Sequence, residues 1–165
     1  GYVTGIFGKW HLGDNYPYRP KDRGFEDTLW FPSSHISSLP DYWLNDYFDD
    51  VYCVNGKRER YEGYCTEVFF NEAKKWIGER IDADEPFFTY LPTNAPHGPH
   101  FVPEEDRKAI EEKFEKDGDY PNLKPAEKKA LIRFLAMIRN VDTELGKLRE
   151  FLKDKGADRD RKSVV

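Results

Sequence analysis

Hydrophobic and polar positions follow two periods along this chain, and together they predict alternating strands and helices. β-Branched and aromatic residues predict a first strand over residues 3–7 and a buried one over 86–91. Apolar residues at helical spacing predict helices over 67–81, 103–116 and 125–154. A helix followed by a buried strand is the repeating unit of an α/β fold, so we expect an α/β protein.

The last predicted helix has the clearest ends and the longest apolar stripe. Pro125 suits a first helical turn and Gly156 suits a helix end. The residues predicted to face the core are Leu131, Phe134, Leu135, Ile138, Val141, Leu145, Leu148 and Leu152.

A turn signal in the middle of the chain predicts a β-hairpin. Asn55-Gly56, the dipeptide best suited to a type I′ turn, separates strand-like residues 51–54 from 57–61. The acidic pair Asp49-Asp50 just before the hairpin is typical of a solvated turn rather than of a metal site.

Two consecutive segments show neither period. Residues 14–27 are polar and rich in proline and aromatic residues, and residues 28–48 continue in that way with two serine pairs around His35. Both segments are predicted to be irregular. Loops as long as the second are often functional, so we expect it to line a cleft, with His35 as a bystander.

Composition narrows the functional class. The chain has 165 residues, enough for one domain, and 35% of them are charged. A net charge of −5 does not favour a nucleic-acid partner, which usually needs a basic patch. No apolar run approaches the ~20 residues of a membrane span. Cys53 and Cys65 are too few for a zinc site, so we expect buried free thiols, with one disulfide as the alternative.

The first candidate site is the run Gly8–Gly13. An extended backbone there places Lys9 and His11 on one face and Trp10 on the other. Two cationic or proton-donating groups, with an aromatic anchor behind them, suit a small oxyanion. The alternative is a lysine and a histidine in solvent at a strand end, beside a core tryptophan.

The second candidate site is the loop 94–100, which directly follows a predicted strand and contains His97 and His100. In open α/β sheets, ligands bind outside the carboxyl ends of the strands, so we expect His97 to join the first site. Gly98-Pro99 argues against a helical metal-binding histidine pair. For His100, pocket lining and no role at all remain open.

The run GYVTGIFGKWHLG at residues 1–13 resembles the second signature of the sulfatase family, whose members have the alkaline-phosphatase-like fold. Four further segments agree with it, namely PKDRGF at 20–25, EPFFTYL at 85–91, APH at 95–97 and VDTELG at 141–146. The resemblance covers nearly the whole chain. It implies a three-layer α/β sandwich with a central mixed sheet, represented here in part.

The resemblance also implies roles for individual residues. In sulfatases a formylglycine, made from a cysteine or serine in a C-x-P-S-R-like motif, is the nucleophile, and a calcium ion polarises the sulfate. Lys9 matches the lysine that bridges nucleophile and sulfate, and His11 the histidine that helps to eliminate sulfate. His97 matches the histidine that binds sulfate and assists the leaving group. Candidate catalytic residues are therefore Lys9, His11 and His97, and candidate substrate-binding residues are Lys9, His97 and His100.

Other parts of the sulfatase site have no match in this chain. Neither Cys53 nor Cys65 lies in the oxidation motif, and the family's calcium ligands lie before and after the matched segment, so no metal ligand is assigned. We expect residues 1–159 to be part of a sulfatase catalytic domain that, alone, binds calcium poorly and hydrolyses nothing. Residues 160–165 match one reading frame of a common sequencing adapter and are expected to be a non-native tail.

The expected function is cleavage of sulfate esters in small molecules or polysaccharides. Sulfated carbohydrates are the expected substrates, because the predicted cleft loop offers rings and polar groups in Tyr42, Trp43, Asn45 and Asp46. Two alternatives remain: hydrolysis of phosphonate or phosphate esters on the same scaffold, and a catalytically inactive carbohydrate-binding relative. The family suggests a periplasmic or secreted location.

Overall fold

The structure, a computed structural model, describes residues 1–118 and 122–159. A short 3₁₀ helix at Pro20–Arg23 precedes the second strand. The other elements of the described residues are, in chain order, β1 (Val3–Lys9), β2 (Asp27–Phe31), β3 (Val51–Val54), β4 (Lys57–Arg60), α1 (Cys65–Asp82), β5 (Phe87–Tyr90), α2 (Glu104–Asp117) and α3 (Pro125–Asp154). The predicted tail at 160–165 lies outside the described residues.

The strands form one mixed sheet in the order β4-β3-β2-β1-β5. β1 lies between β2 and β5 and runs parallel to both, whereas β3 and β4 form an antiparallel hairpin beside β2. Asn55 and Gly56 have φ angles of 48° and 87°, as a type I′ turn requires. The α/β class and the hairpin are confirmed. Because β1, β2 and β5 are parallel, their carboxyl ends meet at one edge of the sheet.

Strand β2 shows that residues 28–48 are not irregular throughout, so that prediction is wrong for the first four of them. β2 pairs with β1 from Asp27, opposite Gly5, to Phe31, opposite Lys9. Its last four residues are buried. Strand propensity depends on packing against neighbouring strands, and the pairing with β1 overrides the weak local signal. Residues 32–48, all of them described, contain no helix or strand.

Helix α1 packs on one face of the sheet, and α3 packs on α1. The buried core between them is strongly aromatic, with Phe31 stacked on Phe69 at a centroid distance of 6.0 Å. Trp76 Nε1 of α1 donates a hydrogen bond of 2.8 Å to Asp27 Oδ2, which fixes the helix to the start of β2. None of the helices in the described residues is long and apolar enough to cross a membrane.

The opposite face of the sheet has a smaller cluster of Ile6, Trp10 and Trp30. Strand β5 was expected to be buried, yet Phe88 and Tyr90 are 52% and 43% exposed on this face. Phe25, from the connection between β1 and β2, stacks on both rings. In the described residues this face of β5 is therefore largely uncovered, whereas Phe87 and Thr89 on the other face are half-buried.

Helix α3 has the predicted bounds, but its buried side is rotated from the predicted stripe. Ile138 is 41% exposed, whereas Asn140 and Glu144 are buried at 3% and 2%. Asn140 Nδ2 donates to Glu67 on α1 at 3.1 Å and to Asp106 on α2 at 2.9 Å. Hydrogen-bonded polar residues thus occupy the junction of the three helices, which an apolar pattern could not indicate.

Gly146, in the middle of α3, is expected to lower the stability of the helix. A Cβ added there meets no atom within 4 Å, and glycine costs about 1 kcal/mol relative to alanine in a helix interior. Gly146→Ala is therefore expected to raise the free energy of unfolding by ~0.5–1 kcal/mol in urea titrations followed by circular dichroism. A lower free energy of unfolding would show a steric conflict that the structure does not contain.

Candidate functional site

The carboxyl end of β1 carries the first candidate residues. Gly8 has a φ of 132°, and the next amide, that of Lys9, donates a 2.7 Å hydrogen bond to the carbonyl of Pro92, just after β5. Trp10 is buried against Ile6 and Trp30, as the proposed aromatic anchor requires. Lys9, which precedes Trp10, is half-buried, and His11, which follows Trp10, is exposed.

The loop after β5 carries His97. Its amide donates to the carbonyl of Asn94 at 3.0 Å, and its Nδ1 lies 2.6 Å from the carbonyl oxygen of Gly98. Tyr47, which is fully buried, donates its hydroxyl to the carbonyl of His97 at 3.2 Å. Backbone and core contacts therefore hold His97 in place while the residue remains exposed.

The loop after β2 brings His35 to the same place. The imidazoles of His35 and His97 stack with centroids 4.5 Å apart and planes 10° apart. Ser34 Oγ lies 3.0 Å from His35 Nδ1. The buried Asn94 accepts the amide of Ile36 at 3.1 Å and thus joins the two loops directly. His35 is therefore a member of the site and not the expected bystander.

The charges of the neighbouring basic residues also act on His35. Burial lowers the pKa of His35, and the positive charges of His97, Lys9 and His11 lower it further. Lys9 and His11 lie at the end of β1, which is between the strands that precede His35 and His97. Lys9, His11, His35 and His97 thus form one cluster of basic residues, hereafter the anion cluster, at the carboxyl ends of three parallel strands.

His100 lies next to this region, but its described ring contact is with α3. Its imidazole packs edge-on against Phe134 with a centroid distance of 5.7 Å. The structure therefore places Lys9, His11 and His97 at the same edge of the sheet, and their catalytic roles stay a prediction. The substrate-binding role of His100 stays a prediction.

Asp50 is buried below the loop that carries His97, so its expected place in a solvated turn is wrong. It is 2% exposed and accepts the amides of Asp46 at 2.8 Å and Tyr47 at 3.1 Å. The Tyr52 hydroxyl donates a third bond at 3.2 Å. Since Tyr47 in turn bonds the His97 carbonyl, Asp50 positions the His97 loop through Tyr47.

Burial raises the pKa of Asp50 to about 6, from an ordinary value of 3.8. The folded protein thus holds this proton more tightly than the unfolded chain, so the group's contribution to stability falls as pH rises from about 4 to about 6. The stability advantage of the native chain over Asp50→Asn is expected to shrink by ~1–3 kcal/mol between pH 4 and pH 7, at up to about 1.4 kcal/mol per pH unit. Urea unfolding at both pH values measures it, and a constant difference would contradict the assignment.

The anion cluster does not supply the remaining groups of a sulfatase site. Its side chains present nitrogen atoms, whereas calcium prefers oxygen ligands, so these residues do not fit the ion. Among the described residues, one cluster of carboxylates is compact enough to hold a metal ion. It lies at the helix junction and consists of Glu67, Glu105 and Asp106. There Asp106 is already bonded to Arg139 and to Asn140.

The two cysteines do not fit a nucleophile. Both are free, as expected; Cys65 is fully buried and Cys53 is half-buried. Burial raises the pKa of the Cys65 thiol, which keeps it protonated and unreactive. Formylglycine formation is therefore not assigned to either residue.

Known sequences resemble this chain over most of its length. An arylsulfatase of Klebsiella aerogenes is 27% identical over 198 residues, which cover 96% of this chain and 42% of that protein. The human N-acetylgalactosamine-6-sulfatase is 26% identical over 166 residues, which cover 93% of this chain and 27% of that protein. The chain thus spans less than half the length of these relatives.

Solved structures and a family model agree as well. The structure titled Ps i-CgsB in complex with k-i-k-neocarrahexaose matches with a TM-score of 0.72 and 29% identity, over 94% of this chain and 35% of that one. The five-stranded mixed sheet is thus part of the alkaline-phosphatase-like α/β fold. A family model described as Sulfatase matches residues 1–161, and the chain therefore belongs to the sulfatase family.

Proposed function

We propose that the protein to which this chain belongs hydrolyses sulfate esters, and that Lys9, His11 and His97 act on the sulfate group. The observation that carries the proposal is their convergence, with His35, at the carboxyl ends of β1, β2 and β5. Ligand sites of open α/β sheets occur at this edge. The arylsulfatase and N-acetylgalactosamine-6-sulfatase names of the relatives support the same reaction.

Each residue has a role that its chemistry supports. A sulfate ester carries negative charge on its peripheral oxygens, and that charge shifts toward the bridging oxygen as the ester bond breaks. Lys9 and His11 offer positive charge or proton donors to the peripheral oxygens, which binds and orients the sulfate for reaction. To His97, which is exposed and held by its backbone, we assign the donation of a proton to the leaving oxygen, where negative charge develops.

We infer that the stacked His35 sets the charge balance of this site. Its lowered pKa favours the neutral imidazole, so the stack with His97 does not require two adjacent positive charges. A neutral His35 leaves His97 as the proton carrier of the pair. Ser34, at His35 Nδ1, holds the orientation of the ring.

We infer further that the substrates are sulfated carbohydrates. The matching structure named above was solved with neocarrahexaose, and one relative is named for an amino-sugar sulfate. In this chain Trp43 is 79% exposed on the loop that also carries His35, where an aromatic ring can stack on a sugar face. A formylglycine nucleophile, a calcium ion and a periplasmic or secreted location belong to the same proposal, although the described residues supply neither nucleophile nor calcium ligands.

The test is hydrolysis by the whole protein of two matched esters, 4-nitrophenyl sulfate and 4-nitrophenyl phosphate. Release of 4-nitrophenol from the sulfate at a clearly higher kcat/KM supports the proposal. Preference for the phosphate would support the phosphate-ester alternative instead. No hydrolysis of either, with intact binding of sulfated sugars, would support the inactive carbohydrate-binding relative.

A further inference from the structure

A cavity of about 390 Å³ lies beside the anion cluster, on the face of the sheet opposite α1. Its floor is the sheet itself, at Thr28, Trp30 and Cys53. One wall comes from the connection between β1 and β2, and the other from Tyr42 and Arg58. This volume is within the range of pockets that hold small ligands.

The cavity is lined by the same two loops that carry His11 and His35 of the anion cluster. Asp14 lines it three residues after His11, and Pro32 lines it three residues before His35. A ligand in the anion cluster and one in the cavity would therefore contact the same two loops. A sugar chain that presents its ester to the anion cluster can extend in this direction.

Cationic and acidic side chains are mixed in the lining. Arg19, Lys21 and Arg58 line the cavity together with two acidic residues. One of these, Asp41, is already bonded to the amide of Ser37 at 2.9 Å and to Asn45 Nδ2 at 3.3 Å. The charge of Arg58 also acts on Asp41. Arg19 is paired with Asp22 at 2.8 Å, so Lys21 and Arg58 are the cations of the lining that form no ion pair with a described residue.

Arg58 is the best-placed of these cations. Its guanidinium lies 4.9 Å from the centroid of the Tyr42 ring, a cation–π contact that holds the guanidinium in place. Among the described residues its N–H groups have no hydrogen-bond partner, so they remain available to a ligand. A guanidinium fixed in this way binds planar or tetrahedral oxyanions through two parallel hydrogen bonds.

We propose that this cavity is a second subsite, in which Arg58 binds a sulfate or carboxylate group on a sugar residue next to the one whose ester is cleaved. The inference rests on the proposed function for its substrate class. It adds that the substrate is an oligosaccharide with at least two anionic groups. A monosaccharide sulfate would fill the anion cluster and leave Arg58 without a ligand.

The test measures binding, not turnover, so that it is independent of the proposed hydrolysis. Isothermal titration of the 165-residue chain with a chondroitin 6-sulfate tetrasaccharide is compared with titration with N-acetylgalactosamine 6-sulfate. Arg58→Ala is expected to weaken binding of the tetrasaccharide about tenfold or more and to leave the monosaccharide unchanged. A desulfated tetrasaccharide then identifies the anion, because dependence on Arg58 persists for a carboxylate and is lost for a sulfate.

The matched control is Lys57→Ala, which removes the same charge from the neighbouring position of β4. Arg58 lies opposite Cys53, which lines the cavity, whereas Lys57 lies opposite Val54 and projects to the other face. Lys57→Ala is expected to bind the tetrasaccharide as the native chain does. Equal weakening by both variants, an equal loss for the monosaccharide, or no preference of the native chain for the tetrasaccharide would each overturn the subsite.

Discussion

Replacement of His97 by alanine in the whole protein is expected to lower kcat/KM for a sulfated sugar by roughly 10²- to 10⁴-fold, the usual contribution of a general acid. A sugar hydroxyl is a poor leaving group and needs a proton as the ester bond breaks. His97 is the exposed member of the imidazole stack, and its backbone is held by Tyr47 and Asn94. Its loss removes the proton without disturbing a buried side chain.

A second substrate separates proton donation from simple binding. Nitrophenolate leaves without a proton, so His97→Ala is expected to cost far less with 4-nitrophenyl sulfate than with the sugar sulfate. An unchanged thermal midpoint of the variant checks that the fold is intact. An equal loss with both esters would contradict the role of His97 as proton donor and leave it a role in binding sulfate.

The second large effect concerns the fold at the anion cluster. Gly8→Ala is expected to lower the free energy of unfolding by about 3 kcal/mol or more, since an L-residue is strained at a φ of 132°. The added Cβ would also overlap the carbonyl oxygen of Pro92 and lie 3.0 Å from its carbon. That carbonyl accepts the Lys9 amide, so the overlap would separate the end of β1 from the end of β5. Urea unfolding followed by tryptophan fluorescence measures the loss.

Gly56→Ala is the matched control for Gly8→Ala. Gly56 also has a positive φ, 87°, but a Cβ there would meet no atom within 4 Å. Its replacement therefore carries backbone strain alone and is expected to cost only about 1–2 kcal/mol. Similar losses for the two variants would show that the approach of Gly8 to Pro92 does not matter.

The elements that could be predicted from the sequence are those with strong local signals. Helix α3 has the predicted bounds, and the Asn55-Gly56 turn forms the expected hairpin. Strand β2 was missed because its five residues become a strand through pairing with β1. The buried side of α3 was partly wrong because Asn140 lies inside and is stabilised by Glu67 and Asp106, which are distant in sequence.

The same contrast between local signals and contacts distant in sequence separates the site residues that could be predicted from those that could not. The positions of Lys9, His11 and His97 at this edge could be predicted because each lies at or after the end of a strand that the sequence indicates. His35 was missed because it follows β2, and the rule that places ligands at strand ends would have included it had that strand been recognised. Asp50 could not be predicted, since its hydrogen bonds depend on how residues 46–52 fold back on themselves.

The central claim is that Lys9, His11, His35 and His97 form one site for a sulfate group, and histidine NMR tests it most directly. Sodium sulfate is titrated into the 165-residue chain, with sodium chloride at equal ionic strength as the control. The imidazole signals of His11, His35 and His97 are expected to shift with one shared Kd. The lowered pKa of His35 is expected to rise as bound sulfate offsets the neighbouring positive charges. Shifts no larger than those with chloride, or unrelated affinities at the three histidines, would contradict the claim.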